Sequence, residues 1–179
     1  MTYLLRFFDF DKEDEPFFSS DDKYSEWLQH GDVPATAITG FSSKYLKNCE
    51  MSVFQTDGTD DSINRIIVAR EAKDARLLQY SDKKQIIVLF PSEKIAELGI
   101  EIKNTSGNTA DDSINQTHRI LIHLSANNLV QLLSLVYSDD IKSQIVKPED
   151  YCKNVKEYID NGYLDINKVH TFYKKALGK

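Results

Sequence analysis

A chain of 179 residues with 22 Lys and Arg against 28 Asp and Glu carries a formal net charge of −6, which argues against general nucleic-acid binding, since that relies on basic side chains neutralising phosphates. The length suits one domain that buries a full core without staples, and Cys49 and Cys152, the only cysteines, have no paired spacing and read as free thiols in a reducing compartment. No apolar run approaches the ~20 residues of a membrane span.

The opening MTYLLRFFDFDKEDE has acids where a secretory signal would carry a basic flank and a small-residue cleavage site, so a cytoplasmic location is expected. Tyr3 to Phe8 reads as a strand from its aromatic and apolar content. Asp9, Asp11, Glu13, Asp14, Glu15, Asp21 and Asp22 follow, interleaved with Phe10, Phe17 and Phe18. In one reading these form an acidic-aromatic docking surface, with Asp9, Phe10, Asp11, Phe17 and Phe18 meeting a basic protein partner. In another, a strand runs into a solvated loop whose phenylalanines fold back into the core.

A third reading is catalytic. FFDFDKED resembles the opening motif of the haloacid dehalogenase superfamily, an apolar strand followed by D-x-D-x-[TV]. The resemblance implies Asp9 as the nucleophile toward a phosphoryl group, Asp11 as general acid/base, and Mg²⁺ between carboxylate and phosphate oxygens. The apolar run 85–90 ending at Ser92 would supply the second motif, and 135–140 would imitate the acidic fourth. Glu13, however, stands where the family has Thr or Val, Glu13 to Glu15 bring more negative charge beside a phosphate, and no βα repeat links the pieces.

Asp21 or Asp22 is suited to cap a short helix through Tyr24, Trp27 and Leu28 that Gly31 ends, and Asp32-Val33-Pro34 reads as a turn. A second short helix is expected around Ala37, Ile38, Phe41, Tyr45 and Leu46, and Met51 to Gln55 is expected to be a strand closed by Asp57-Gly58. Residues 61–73 space Ile63, Ile66, Ile67 and Arg70 by three and four, as a helix does. The pentapeptide Asp-Asp-Ser-Ile-Asn occurs at 60–64 and again at 111–115, which reads as reuse of capping chemistry.

Ile86 to Phe90 is continuous and β-branched, as a buried strand is. Pro91-Ser92-Glu93 then opens a helix through Ile95, Ala96 and Leu98 that Gly99 stops, and Ile100 and Ile102 alternate with charges as in a half-buried strand. The loop from Asn104 to Ala110 lacks the spaced glycines and Lys of a phosphate-binding loop.

Residues 107–138 hold the one close grouping of Asp, Asn and His. If Asp111 starts a helix, Asp111, Asn115 and His118 share a face. The plainer alternative has Asp111 as a cap, Asn115 exposed and His118 partly buried; the run Ile120 to Leu124 fits either a strand or the end of that helix. Ser125 is placed to cap a helix whose Leu129, Leu132, Leu133 and Val136 draw one apolar stripe. Gly107 to His118 also resembles a segment of a group of small uncharacterised bacterial proteins, written G-x-T-x-D-x-x-[IV]-N-x-x-H. DVPATAIT at 32–39 and MSVF at 51–54 are similar to the same group. The resemblance implies a bacterial cytoplasmic protein and brings no activity with it.

The C-terminal part, 147–179, reads as a helical hairpin. Pro148-Glu149-Asp150 starts one helix through Tyr151, Val155 and Ile159, Asn161-Gly162 ends it, and Asp165 caps a second over about 166–177. His30, His118, His123 and His170 are dispersed without metal-ligand spacing, and no nucleophile motif occurs. The expectation is therefore one α+β domain over 1–179, a mixed sheet covered by helices. As a function, we expect a non-enzymatic protein-interaction module of the immunity or accessory type with no cofactor, no metal and no membrane or nucleic-acid partner. The alternative is a Mg²⁺-dependent phosphatase using Asp9, Asp11 and Ser92.

Overall fold

The computed structural model describes residues 1–10, 49–75, 84–136, 141–146 and 148–178. Six strands, β1 (Tyr3–Phe10), β2 (Met51–Thr56), β3 (Lys84–Pro91), β4 (Glu101–Asn104), β5 (His118–Ile122) and β6 (Lys142–Val146), form one sheet in the order β4-β5-β2-β1-β3-β6. The helices among the described residues are α1 (Asp60–Asp74), α2 (Ser92–Glu97), α3 (Asp112–Asn115), α4 (Ala126–Val136), α5 (Pro148–Asp160) and α6 (Thr171–Ala176). The α+β reading is borne out. The expected mixture of strand directions is not: β1 runs antiparallel to β2 and β3, β5 to β2 and β4, and β6 to β3. Among the described residues no crossover returns a strand beside its neighbour in the same sense, and parallel neighbours need one.

Period-two alternation gives the sheet two apolar faces. Leu5 and Phe7 of β1, Phe54 of β2, and Ile87 and Leu89 of β3 share one buried cluster with Ile63, Ile66 and Ile67 of α1, Ile114 of α3, Val155 and Ile159 of α5, and Tyr173 of α6. Leu4, Met51, Val53, Val88, Phe90 and Leu121 turn the other way. There they join Ile95 of α2 and Leu129, Leu132, Leu133 and Val136 of α4. Both clusters draw on residues before and after residue 80, so they are two sides of one sheet. Among the described residues no helix is long and apolar enough to cross a membrane.

Local chemistry sets the helix ends. Thr59 Oγ1 accepts from Ser62 N and caps α1, with Asp60 and Asp61 in the first turn where the helix dipole favours anions. Ser125 Oγ accepts from Asn128 N while Asn128 Oδ1 accepts from Ser125 N, a reciprocal cap at the start of α4. Gly58, at φ +80 with a Tyr3 ring carbon 2.6 Å from where a Cβ would stand, is required by both backbone and space.

The C-terminal part departs from the simple hairpin. The helix expected over 166–177 is the shorter α6, and its cap is His170, whose Nδ1 accepts from Phe172 N. Asp165 opens a turn instead, accepting from Asn167 N. Tertiary hydrogen bonds explain the change: Asp165 N donates to Ala110 O at 2.9 Å and His170 N donates to Ala72 O at 2.7 Å. Both N–H groups are thereby docked on neighbours, and the backbone between them follows those anchors.

Because Ile66 (1% exposed) and Leu132 (0%) lie in clusters on opposite faces, each truncation to Ala is expected to cost about 2–5 kcal/mol. The two losses should add to within about 0.5 kcal/mol in the double variant, since the sites share no neighbours. Urea unfolding of the two single variants and the double variant checks this.

Candidate functional site

The Asp, Asn and His singled out from the sequence sit where the loop 105–111 enters α3 and β5. Asp111 is 3% exposed, and a buried carboxylate must find partners. Its Oδ1 accepts from Ser113 N at 2.8 Å, Ser113 Oγ at 2.7 Å and Ile114 N at 3.4 Å, which makes it the cap of α3. Its Oδ2 takes Arg65 Nε of α1 at 2.8 Å. The same guanidinium donates from Nη2 to Ser113 Oγ at 2.9 Å and lies 4.8 Å from the centre of the Tyr163 ring.

Asn115 is buried, contrary to the exposed position considered for it. Its Oδ1 accepts from Thr109 N at 2.6 Å, and its Nδ2 donates to Thr109 O at 3.4 Å and Asp112 Oδ1 at 3.3 Å. Thr109, itself buried, donates from Oγ1 to Asp111 O and accepts from Asp111 N. Ala110 N reaches Ala69 O of α1 at 3.0 Å. Lys168 bonds to the exposed carboxylate of Asp112, which holds that carboxyl below its ordinary value and the lysine above its own.

The single helical face proposed for Asp111, Asn115 and His118 is not formed. α3 ends at Asn115, and His118 is the first residue of β5. Helix and strand readings of 111–122 each held for part of the stretch. His118 is nevertheless held in the same knot: its Nδ1 shares a hydrogen bond with Thr105 Oγ1 at 2.6 Å, and its ring meets Phe54 edge-on at 5.1 Å. Burial first, then the charges of Arg119 and Arg6, push the His118 imidazole below its ordinary value of 6.5. At Gly107 a Cβ would stand 3.1 Å from both Asn115 Oδ1 and His118 Cβ and 3.2 Å from Asn115 Cα, tighter than ordinary contacts, so a side chain there would push the loop or Asn115 aside by a few tenths of an ångström.

Gly107, Thr109, Asp111, Ile114, Asn115 and His118, the positions spelled out in G-x-T-x-D-x-x-[IV]-N-x-x-H, thus act together in folding one loop. The repeated pentapeptide is used in two registers. In its first copy Asp60 follows the Thr59 cap, whereas in its second Asp111 is the cap. Ile63 and Ile114 still enter the same cluster. Arg65 and Thr105 were not singled out from the sequence, and Thr109 only as a position of the resembling segment. Thr109 stands two residues before the cap and was open to recognition as a turn hydroxyl, while Arg65 lies 46 residues from Asp111 and carries no local signal.

Of the other candidates, Asp9 and Ser92 do not converge. Asp9 and Phe10 lie in the last part of β1, where Asp9 pairs with Gln85 and Phe10 with Lys84. Ser92 follows the opposite end of the same ladder, its N donating to Thr2 O at 2.9 Å. Seven strand positions separate Gln85 from Ser92, roughly 20–25 Å at the usual rise. One phosphoryl group cannot touch both Asp9 and Ser92, and the antiparallel pairing of β1 with β3 is the reason. Asp11, Phe17 and Phe18 lie outside the described residues. Among the described residues no group of three His, Cys, Asp or Glu side chains is arranged to hold a metal ion.

Two outcomes follow from this geometry. Gly107→Ala, which forces backbone and Asn115 apart, is expected to lower stability by about 1–3 kcal/mol in denaturant unfolding. For His118, whose folded value lies below 6.5, the stability it confers is full above that value. It is lost as pH falls through it, because the unfolded chain takes up a proton that the fold resists. Unfolding free energy followed from about pH 7 to about pH 5 should therefore fall more steeply for the native chain than for His118→Gln.

Compared with protein-family models, curated proteins and solved structures, the chain matches none.

Proposed function

We propose that this chain is a cytoplasmic protein-interaction module of the immunity or accessory type, which binds a basic protein partner through Asp9, Phe10, Asp11, Phe17 and Phe18 and performs no catalysis. The observation that carries the reading is the state of the polar knot. Asp111 and Asn115 direct their hydrogen bonds to the loop that contains them and to α1, so the grouping best suited to chemistry serves as scaffold. The distance between Asp9 and Ser92 along the β1–β3 ladder removes the support for a phosphoryl site built on both. The net charge of −6 and the run of carboxylates from Asp9 to Asp22 favour a basic partner, whose approach such a field accelerates.

The test compares the native chain with an Asp9→Lys/Asp11→Lys variant as immobilised bait at low and high salt, each checked for an unchanged unfolding midpoint. Capture of a basic protein that weakens by about tenfold or more in the variant and falls with salt is the expected result. Mg²⁺-dependent hydrolysis of p-nitrophenyl phosphate that Asp9→Asn abolishes would overturn it.

A further inference from the structure

β4 is one of the two outer strands of the sheet, and all four of its residues are exposed. Hydrogen-bond parity shows which of its backbone groups face outward. Thr105 N donates to His118 O, so Thr105 and His118 form a hydrogen-bonded pair. In an antiparallel ladder such pairs recur at every second residue. Lys103–Ile120 and Glu101–Ile122 are therefore the next ones along the observed register. The other ladder of β5 agrees: Gln55 N donates to Thr117 O, which turns Thr117, Arg119 and Leu121 toward β2 and leaves His118, Ile120 and Ile122 for β4. Ile102 and Asn104 accordingly carry their N–H and C=O groups away from the sheet.

The side chains make this edge self-complementary. When a second copy approaches antiparallel about a two-fold axis at Ile102, the two Ile102 residues stand opposite each other as a hydrogen-bonded pair, exchanging two N–H···O=C bonds. Glu101 then faces Lys103 of the other copy, and by symmetry the ion pair forms twice. Registers shifted by one residue set outward groups against inward ones and make no ladder. Those shifted by two place Lys103 opposite Lys103 or Glu101 opposite Glu101, and like charges directly opposite are destabilising. Ile102, 37% exposed and on the same face as Leu121, gains Ile102 of the other copy as an apolar neighbour in the register centred on it.

We propose that two copies of this chain join edge to edge through β4, extending the sheet across a dyad at Ile102. The strip is short, far below the area of a standard interface, so the dimer is weak and concentration-dependent. This pairing uses Glu101 to Lys103 and is independent of the acidic-aromatic surface at 9–18; either can fail alone.

Sedimentation of the intact chain from about 10 µM to about 1 mM tests it. The expected result is a mass rising from 20.5 kDa toward twice that value with concentration. Glu101→Lys and Lys103→Glu should each remain monomeric, since each faces like charges across the dyad. Mixing the two single variants should restore a dimer, because every pair across the axis then joins opposite charges; the double exchange Glu101→Lys/Lys103→Glu should restore it as well. Circular dichroism confirms that the variants fold. A native chain that stays monomeric throughout, association untouched by the single reversals, or single variants that fail to rescue each other would each overturn the proposal.

Discussion

A buried carboxylate has to be satisfied, and in this fold the way Asp111 is satisfied ties the chain together. One oxygen closes the first turn of α3; the other reaches Arg65 on α1. The pairing is only partly screened, since Arg65 is 32% exposed while Asp111 is 3% exposed. Leaving that carboxylate without its donors would cost more than the net contribution of any single bond to it. The loop before it, α3 after it and the start of β5 are therefore placed relative to α1. Ala110, docked on Ala69 O, in turn presents its own carbonyl to Asp165 N. The C-terminal part thus takes its position from the same knot.

α1 is consequently more than a cover for one face of the sheet. Its carbonyls at Ala69 and Ala72 receive N–H groups from Ala110 and His170, its Glu71 receives the Tyr173 hydroxyl at 3.0 Å, and its Arg65 holds Asp111. The fully buried alanines Ala69 and Ala72 lie beside these contacts. Small side chains there let other backbone segments approach the helix closely. Arg70 stands over the Phe7 ring at 4.0 Å and binds the helix to the central strand as well.

Where one period dominated, the sequence read clearly. The apolar runs of β1 and β3, the stripe of α4 with its Ser125 cap, and the extent of α1 and α5 follow from spacing and end signals. The alternation at Ile100 and Ile102 marked a strand there, but not the half-burial expected of it, since all four residues of β4, an edge strand, are exposed. Two kinds of feature did not. The first is competition at short range: 111–122 satisfies a helical and an extended pattern in turn, and a four-residue helix is shorter than any window that detects one. Lys142 to Val146, with only two apolar residues, carries too little alternation to mark β6. The second is partnership at long range. Nothing near Arg65 announces Asp111, nothing near His170 announces that Ala72 will take the N–H that a helix over 166–177 would bond internally, and no local pattern reports that β1 and β3 are antiparallel. That last fact separates Asp9 from Ser92, so the candidate site depended on topology more than on motif.

The sheet order also has a consequence for how the chain is built. β1, the first strand, occupies the interior of the sheet between β2 and β3, and its longest register runs to residues 84–91. Pairing so distant in sequence must close a long loop before any contact rewards it, which slows folding relative to structures made of local contacts. During synthesis from the N-terminus the central strand emerges well before its β3 partner and waits with both edges open. The apolar stretch Leu4 to Phe8 is then the segment most in need of protection from other chains.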